Sequence, residues 1–240
     1  MSAVTLDRSM FSSGYYTGAN RDNLPNLGNP EAQSYLPGQV GENGAGSAFS
    51  LTAQAQPNVN PDNGVTYPWA SGALNSHDQF NFKYGTVEAR VHTPIGHGLW
   101  SAFWTVGADG NWPYSGEIDI VETDGWPDKS SCNTHTAAKP GGSQYVGALD
   151  MTISRGWKLD WQPTYIAVYQ RVLDTDPWTL FKKITDPNLL VHDYQEIVIN
   201  LAIEADAVKV APVVTSGVLW VTHPVVTSTD YVLNGVHHTQ

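Results

Sequence analysis

The chain of 240 residues has a single cysteine, Cys132, so no disulfide can form within it, which leaves its compartment open. Basic residues are scarce as well: 12 Lys and Arg stand against 23 Asp and Glu, a formal net charge of -11. A general grip on nucleic acid is thereby excluded, because that grip comes from neutralising phosphates. An anionic polymer would be repelled unless a local basic patch met it, and a neutral polymer fits better. No apolar run approaches membrane-spanning length, so the chain is expected to be soluble, with no membrane insertion. A capped helix of 3.6 periodicity is missing too, apart from a turn near Pro187 to Val191. With no linker run and no internal repeat, one domain over residues 1–240 is expected, its first 65 residues loop-rich.

What the chain does have is aromatic and β-branched. Nine Trp and eleven Tyr are many for this length; some must be core, and flat rings also stack on the apolar faces of sugar rings. Tyr84 to His92 alternates, with Val87, Ala89 and Val91 on one face and Glu88, Arg90 and His92 on the other. After a turn at Thr93 to Gly98, Leu99 to Gly107 reads as a strand too apolar to face water on either side. Trp100 and Trp104 share one parity there, and Trp104 is the better sugar platform if that face opens to a groove. Further strands read at 132–136, 164–170, 196–203, 216–221 and 230–233. Many short strands between Gly/Pro loops predict an all-β sandwich or jelly roll.

The most informative stretch is Ser115-Gly116-Glu117-Ile118-Asp119-Ile120-Val121-Glu122-Thr123-Asp124-Gly125-Trp126. In a strand, Glu117 and Asp119 share one face while Ile118 and Ile120 share the other. Strict alternation would send Glu122 into the apolar face. One extra residue, a β-bulge at Ile120-Val121, returns Glu122 to the face of the other two acids. The backbones of Glu117 and Glu122 would then lie roughly 13 Å apart. Side chains leaning together could bring the carboxyls to the ~5–5.5 Å of a retaining glycosidase. Three like charges on one strand face repel, so the arrangement costs stability without a use. A solvated acidic face, a site for a hard cation and a catalytic group are the three readings of that spacing. His135, on a strand soon after, could lie beside the acids and bond a carboxylate or a sugar hydroxyl.

The strand GEIDIVE (116–122) resembles the bulged E-x-D-x-x-E signature of glycoside hydrolase family 16. The likeness extends to YGTVEARVHTPIGHGLWSAFWTVG (84–107), to Asn133–Thr136, to LDWQPTYIAVY (159–169) and to INLAI (199–203), in order over about residues 65–205. It implies a two-sheet antiparallel β-jelly roll, a concanavalin-like sandwich, with a concave cleft for a polysaccharide substrate. It also implies endo-hydrolysis with retention, on a β-1,3- or mixed β-1,3/1,4-glucan, with a neutral galactan as the alternative. Glu117 would be the nucleophile, Asp119 its assisting acid and Glu122 the general acid/base. Trp104, His135, Trp100 and Trp126 would contact substrate. No cofactor is required; some relatives carry a structural calcium, for which Asp230 is the candidate ligand here. The chain is expected to act as a monomer. Its location is expected to be secreted or extracellular, or on a virion, although no basic-then-apolar leader is visible. Two departures stand out: Ile203-Glu204-Ala205-Asp206 replaces the glycine pair that follows the INLA strand in many members, and 208–240 matches loosely. A non-catalytic carbohydrate-binding jelly roll and a structural virion or adhesin component are the competing readings.

Overall fold

A computed structural model describes residues 2–16, 21–22, 29–206 and 214–239. Among them, strands gather into two large sheets, of ten and eleven strands. The ten-stranded sheet runs in the order Tyr145–Ala148, Lys129–His135, Glu117–Asp124, Leu99–Gly107, Gln195–Ile203, Phe80–Phe82, Asp230–Leu233 and Val236–Thr239. The other runs Thr179–Ile184, Tyr165–Arg171, Arg155–Gln162, Gly85–His92, Ser216–Thr222, Ala48–Gln54, Trp69–Ser71 and Gln33–Tyr35. Neighbours are antiparallel except at that last edge, where Gln33–Tyr35 pairs parallel to Trp69–Ser71. The expected jelly-roll sandwich is the fold found. The first 65 residues carry more strand than their composition suggests, since Ser2–Thr5, Gln33–Tyr35, Val40–Glu42 and Ala48–Gln54 all join the eleven-stranded sheet. The expected turn near 187 is a 3-10 turn over Pro187–Leu189, with Asp186 capping it.

Period-two patterning decides which side chains meet. Val87, Ala89 and Val91 are buried and their neighbours are not. With Trp157, Leu159 and Trp161 they form one wall of the core, facing Phe103, Ile118, Ile199 and Leu201 of the ten-stranded sheet. Each such fully buried side chain contributes about 1.5–3 kcal/mol. The Trp161 indole N–H donates to the Val191 carbonyl at 2.9 Å, so even this deep polar atom is satisfied. A second, smaller apolar cluster (Ala102, Trp104 and Val198) lies apart from that core. It belongs to the opposite parity of the same strands, the outer face of the ten-stranded sheet. That face carries the site.

Candidate active site

Three strands place the site: Leu99–Gly107, Glu117–Asp124 and Lys129–His135 lie side by side. Pairing skips a residue in the acidic strand, since Phe103 opposes Val121 while Trp104 opposes Asp119. On the other side Asp119 opposes Asn133 and Glu122 opposes Ser131, three steps against two. The extra residue is at Ile120-Val121, where the sequence predicts it. Both of these side chains are buried in the core, at 0% and 1% exposure. Two successive residues therefore point inward, and Glu122 returns to the outer face. Glu117, Asp119 and Glu122 line one pocket with Trp100, Trp104 and Asn200.

Each acid has its own surroundings. Asp119 is 4% exposed. Burial first, then the charges of Glu117 and Glu122, holds its proton on well above the usual range. The protonated Asp119 donates to Glu117, a bond that favours the ionised form of Glu117. Burial still pushes Glu117 upward; the neighbouring His135, the Asp119 bond and a bond from Trp112 oppose it. The Trp112 indole N–H donates to Glu117 Oε2 at 2.7 Å. Glu122 is pushed up to about 7, mainly by burial and further by the Glu117 charge, against a lowering bond from Trp100. That bond runs from Trp100 Nε1 to Glu122 Oε1 at 3.0 Å. All three carboxyls are pushed upward, but by unequal surroundings, and unequal surroundings are what divide acid and nucleophile roles.

His135 stands beside the acids, Nε2 being 3.5 Å from Asp119 Oδ2 and 3.8 Å from Glu117 Oε1. Its ring is fixed by two bonds. Asn133 Oδ1 accepts from the backbone N–H groups of Thr134 and Ser143, so the Asn133 amide N–H faces Nε2, at 2.8 Å. In the neutral ring Nε2 is then the acceptor, while Nδ1–H donates to the Pro140 carbonyl at 2.8 Å in either form. Trp104 lines the pocket but is only 7% exposed, its indole N–H donating to Asn200 Oδ1 at 2.7 Å. It is closer to floor than to platform, and Trp100 is the more open of the two. Trp126 stands one hollow further along, again beside Trp100 and Glu122.

Asp230 lies in a different setting. Its Oδ1 accepts from Tyr194 and from His237, and it belongs to no cluster of three metal-ligating groups among the described residues. Calcium takes 6–8 oxygens, and a carboxylate committed to a tyrosine and a histidine does not fit that demand. Two clusters of three do exist, Glu117/Asp119/His135 and His97/Asp124/Glu204. In the first, the histidine nitrogen nearest the acids is already turned to Asn133. Trp112, Asn133 and Asn200 are site residues that the sequence reading did not single out. An exposed tryptophan in the loop leading to an acidic strand was the one available signal, and only for Trp112.

A two-sheet jelly roll here carries a tryptophan-lined pocket around three neighbouring carboxyls. Residues 47–152 match a family model described as "XgeA-like, catalytic GH16 domain". Within those residues the chain is similar to the catalytic domain of glycoside hydrolase family 16. It is 33% identical over 129 residues to the glucan endo-1,3-beta-glucosidase A1 of Niallia circulans, covering 51% of this chain and 19% of that protein. To the beta-glucanase of Rhodothermus marinus it is 30% identical over 175 residues, 67% of this chain and 58% of that one. The chain thus spans less than two thirds of either relative. The catalytic domain of an endo-1,3-beta-glucanase (laminarinase) from Thermotoga petrophila superposes with a TM-score of 0.75 at 18% identity, covering 97% of each chain. That likeness is one of fold.

Proposed function

We propose that this protein is a retaining endo-glycosidase that hydrolyses internal bonds of a β-1,3-glucan or a mixed β-1,3/1,4-glucan. One observation carries the reading: the bulge puts Glu117, Asp119 and Glu122 on one pocket face, with Glu122 still protonated near neutral pH. Named β-glucan hydrolases among the relatives support the substrate class.

In the first step Glu122 gives its proton to the glycosidic oxygen as the bond from that oxygen to the anomeric carbon breaks. The Glu117 carboxylate bonds to the same carbon from the opposite face, leaving a covalent glycosyl ester. Asp119 keeps its proton and donates to Glu117, so the nucleophile is ionised and oriented. Glu122, now a carboxylate, then takes a proton from water. The hydroxide attacks the anomeric carbon, the ester bond breaks, and Glu117 and Glu122 return to their starting states with configuration retained. Trp100 holds Glu122 and Trp112 holds Glu117 throughout. A polymeric substrate of this kind supports a site of action outside the cell.

The reading is tested by reducing-end release from laminarin, lichenan, agarose and arabinogalactan, with Glu117→Gln alongside. Release from laminarin or lichenan, abolished in the variant, is the expected result. Release from agarose alone would move the substrate to galactans. Binding of a glucan with no release would replace the hydrolase by a binding module.

A further inference from the structure

The face of the sandwich turned away from the cleft carries a different chemistry. On the outer side of the eleven-stranded sheet, Arg90, Gly156 and Arg171 stand abreast on three adjacent strands, Gly156 paired with each arginine. The glycine leaves a notch between the two cations. Arg171 lies across it: a Cβ at 156 would come 3.0 Å from Arg171 Cγ and 3.2 Å from its Nε. Trp178 covers the same side chain, with the guanidinium carbon 4.2 Å from the ring centroid. Stacking of this kind fixes an arginine without using its donors. These residues line a hollow of about 240 Å³.

The donors of the two arginines are unevenly used. Arg90 Nη1 donates to the Ser154 carbonyl at 3.0 Å and Nη2 to Asp174 Oδ1 at 2.7 Å. Arg171 Nη2 reaches the same Oδ1 only at 3.5 Å, and among the described residues its guanidinium makes no hydrogen bond. A group with five N–H donors thus meets one distant oxygen. Asp174 itself is 73% exposed. The turn that carries it is held by Asp176 instead, which accepts from the Leu173 N–H at 2.8 Å. Asp174 can therefore leave the arginines without unravelling the turn. The bond from Arg90 holds the Asp174 carboxyl below its usual range, and the charges of both arginines act the same way, so the notch favours anions.

Charge balance agrees. Glu88, the other acid of the hollow, stands 3.3 Å from Lys158, and His223 is 3.0 Å from Glu42. Arg90 and Arg171 then share one carboxylate between two charges, in a chain of net charge -11. One carboxylate oxygen cannot serve two separated guanidinium forks equally. A tetrahedral oxyanion presents an edge to each. We infer that this notch is a binding site for a phosphate or sulfate group, free or as an ester on a polymer, which takes the seat of Asp174 between Arg90 and Arg171.

Calorimetry on the full chain with inorganic phosphate and sulfate, against chloride at equal ionic strength, tests the site. Phosphate or sulfate is expected to bind, and chloride is not. Asp174→Asn removes the internal competitor and is expected to tighten binding about tenfold, while Arg171→Gln is expected to weaken it about tenfold. Asp174 is exposed and takes no part in the bonds of its own turn, so its variant tests the site even if Arg171→Gln fails to fold. Dextran sulfate against plain dextran separates the two sources. Retention of the sulfated polymer, stronger in Asp174→Asn, marks an ester group as the ligand; binding of the inorganic ions alone marks the free anion. No binding of phosphate or sulfate by Asp174→Asn, an equal response to chloride, or an unchanged affinity in a folded Arg171→Gln would overturn the site. Glucan hydrolysis is not a readout here, so the result stands apart from the hydrolase reading.

Discussion

Trp100 Nε1 lies 3.0 Å from Glu122 Oε1, and this bond pulls against burial on the one carboxyl that must start protonated. A donor to a carboxylate favours its ionised form. In Trp100→Phe that pull is lost, so Glu122 keeps its proton to a higher pH than about 7. The alkaline limb of the kcat/KM profile is expected to move upward. An unmoved or downward-shifted limb would remove Glu122 from the acid role.

Trp112 makes the matching bond to the nucleophile, at 2.7 Å. Since it lowers Glu117, Trp112→Phe leaves Glu117 protonated to a higher pH. Here it is the acid limb that is expected to rise, with the alkaline limb less affected. Because the three carboxyls interact, both limbs report the group rather than one residue. The asymmetry between the two variants is the readout.

Glu122 also links activity to stability. Its carboxyl in the fold titrates at about 7 against an ordinary 4.5, so the folded state holds the proton longer than the unfolded chain does. Below about 4.5 both states are protonated and nothing is contributed. Between about 4.5 and 7 stability falls as pH rises, and above that range the buried charge is a net cost, on the order of 1–3 kcal/mol. Glu122→Gln is expected to lower kcat by about 10²–10⁴ while unfolding at higher urea than the native protein at pH 8, with the gap closing by pH 4. Equal midpoints at both pH values would contradict the burial argument.

Gly125 is a backbone requirement of the cleft. It has a φ of +69°, and a Cβ there would overlap the Gly96 carbonyl, whose own N–H donates to Gly125 O at 3.0 Å. Gly125→Ala meets both the left-handed strain and the clash, and is expected to cost about 1–3 kcal/mol. A urea midpoint within error of the native value would show that the 96–98 turn can give way.

Strands with a face in the core were the readable ones. Gly85–His92 and Gln195–Ile203 show it in their apolar content, and the acidic strand shows it by contradiction: Glu122 has no place among Ile118 and Ile120. Thr179–Ile184 and Val236–Thr239 went unread. They lie at sheet edges and are mostly exposed, so nothing forces their residues to alternate. Asn200 reaches Trp104 across 96 residues of chain, a relation no local pattern encodes. Parity put Trp100 and Trp104 on one face, but only packing against Asn200 and Val198 decides that Trp104 is the covered one.

The bulge makes the placement of the acid depend on spacing and not on what fills the extra position. Substituting Ile120 or Val121 changes what fills the core, yet the count of residues between Asp119 and Glu122 still turns the acid outward. Removing one of the two dispenses with the bulge altogether, because plain alternation then sets the acid on the face of Glu117 and Asp119. The cost of such a deletion falls on the core, which loses one of two fully buried side chains.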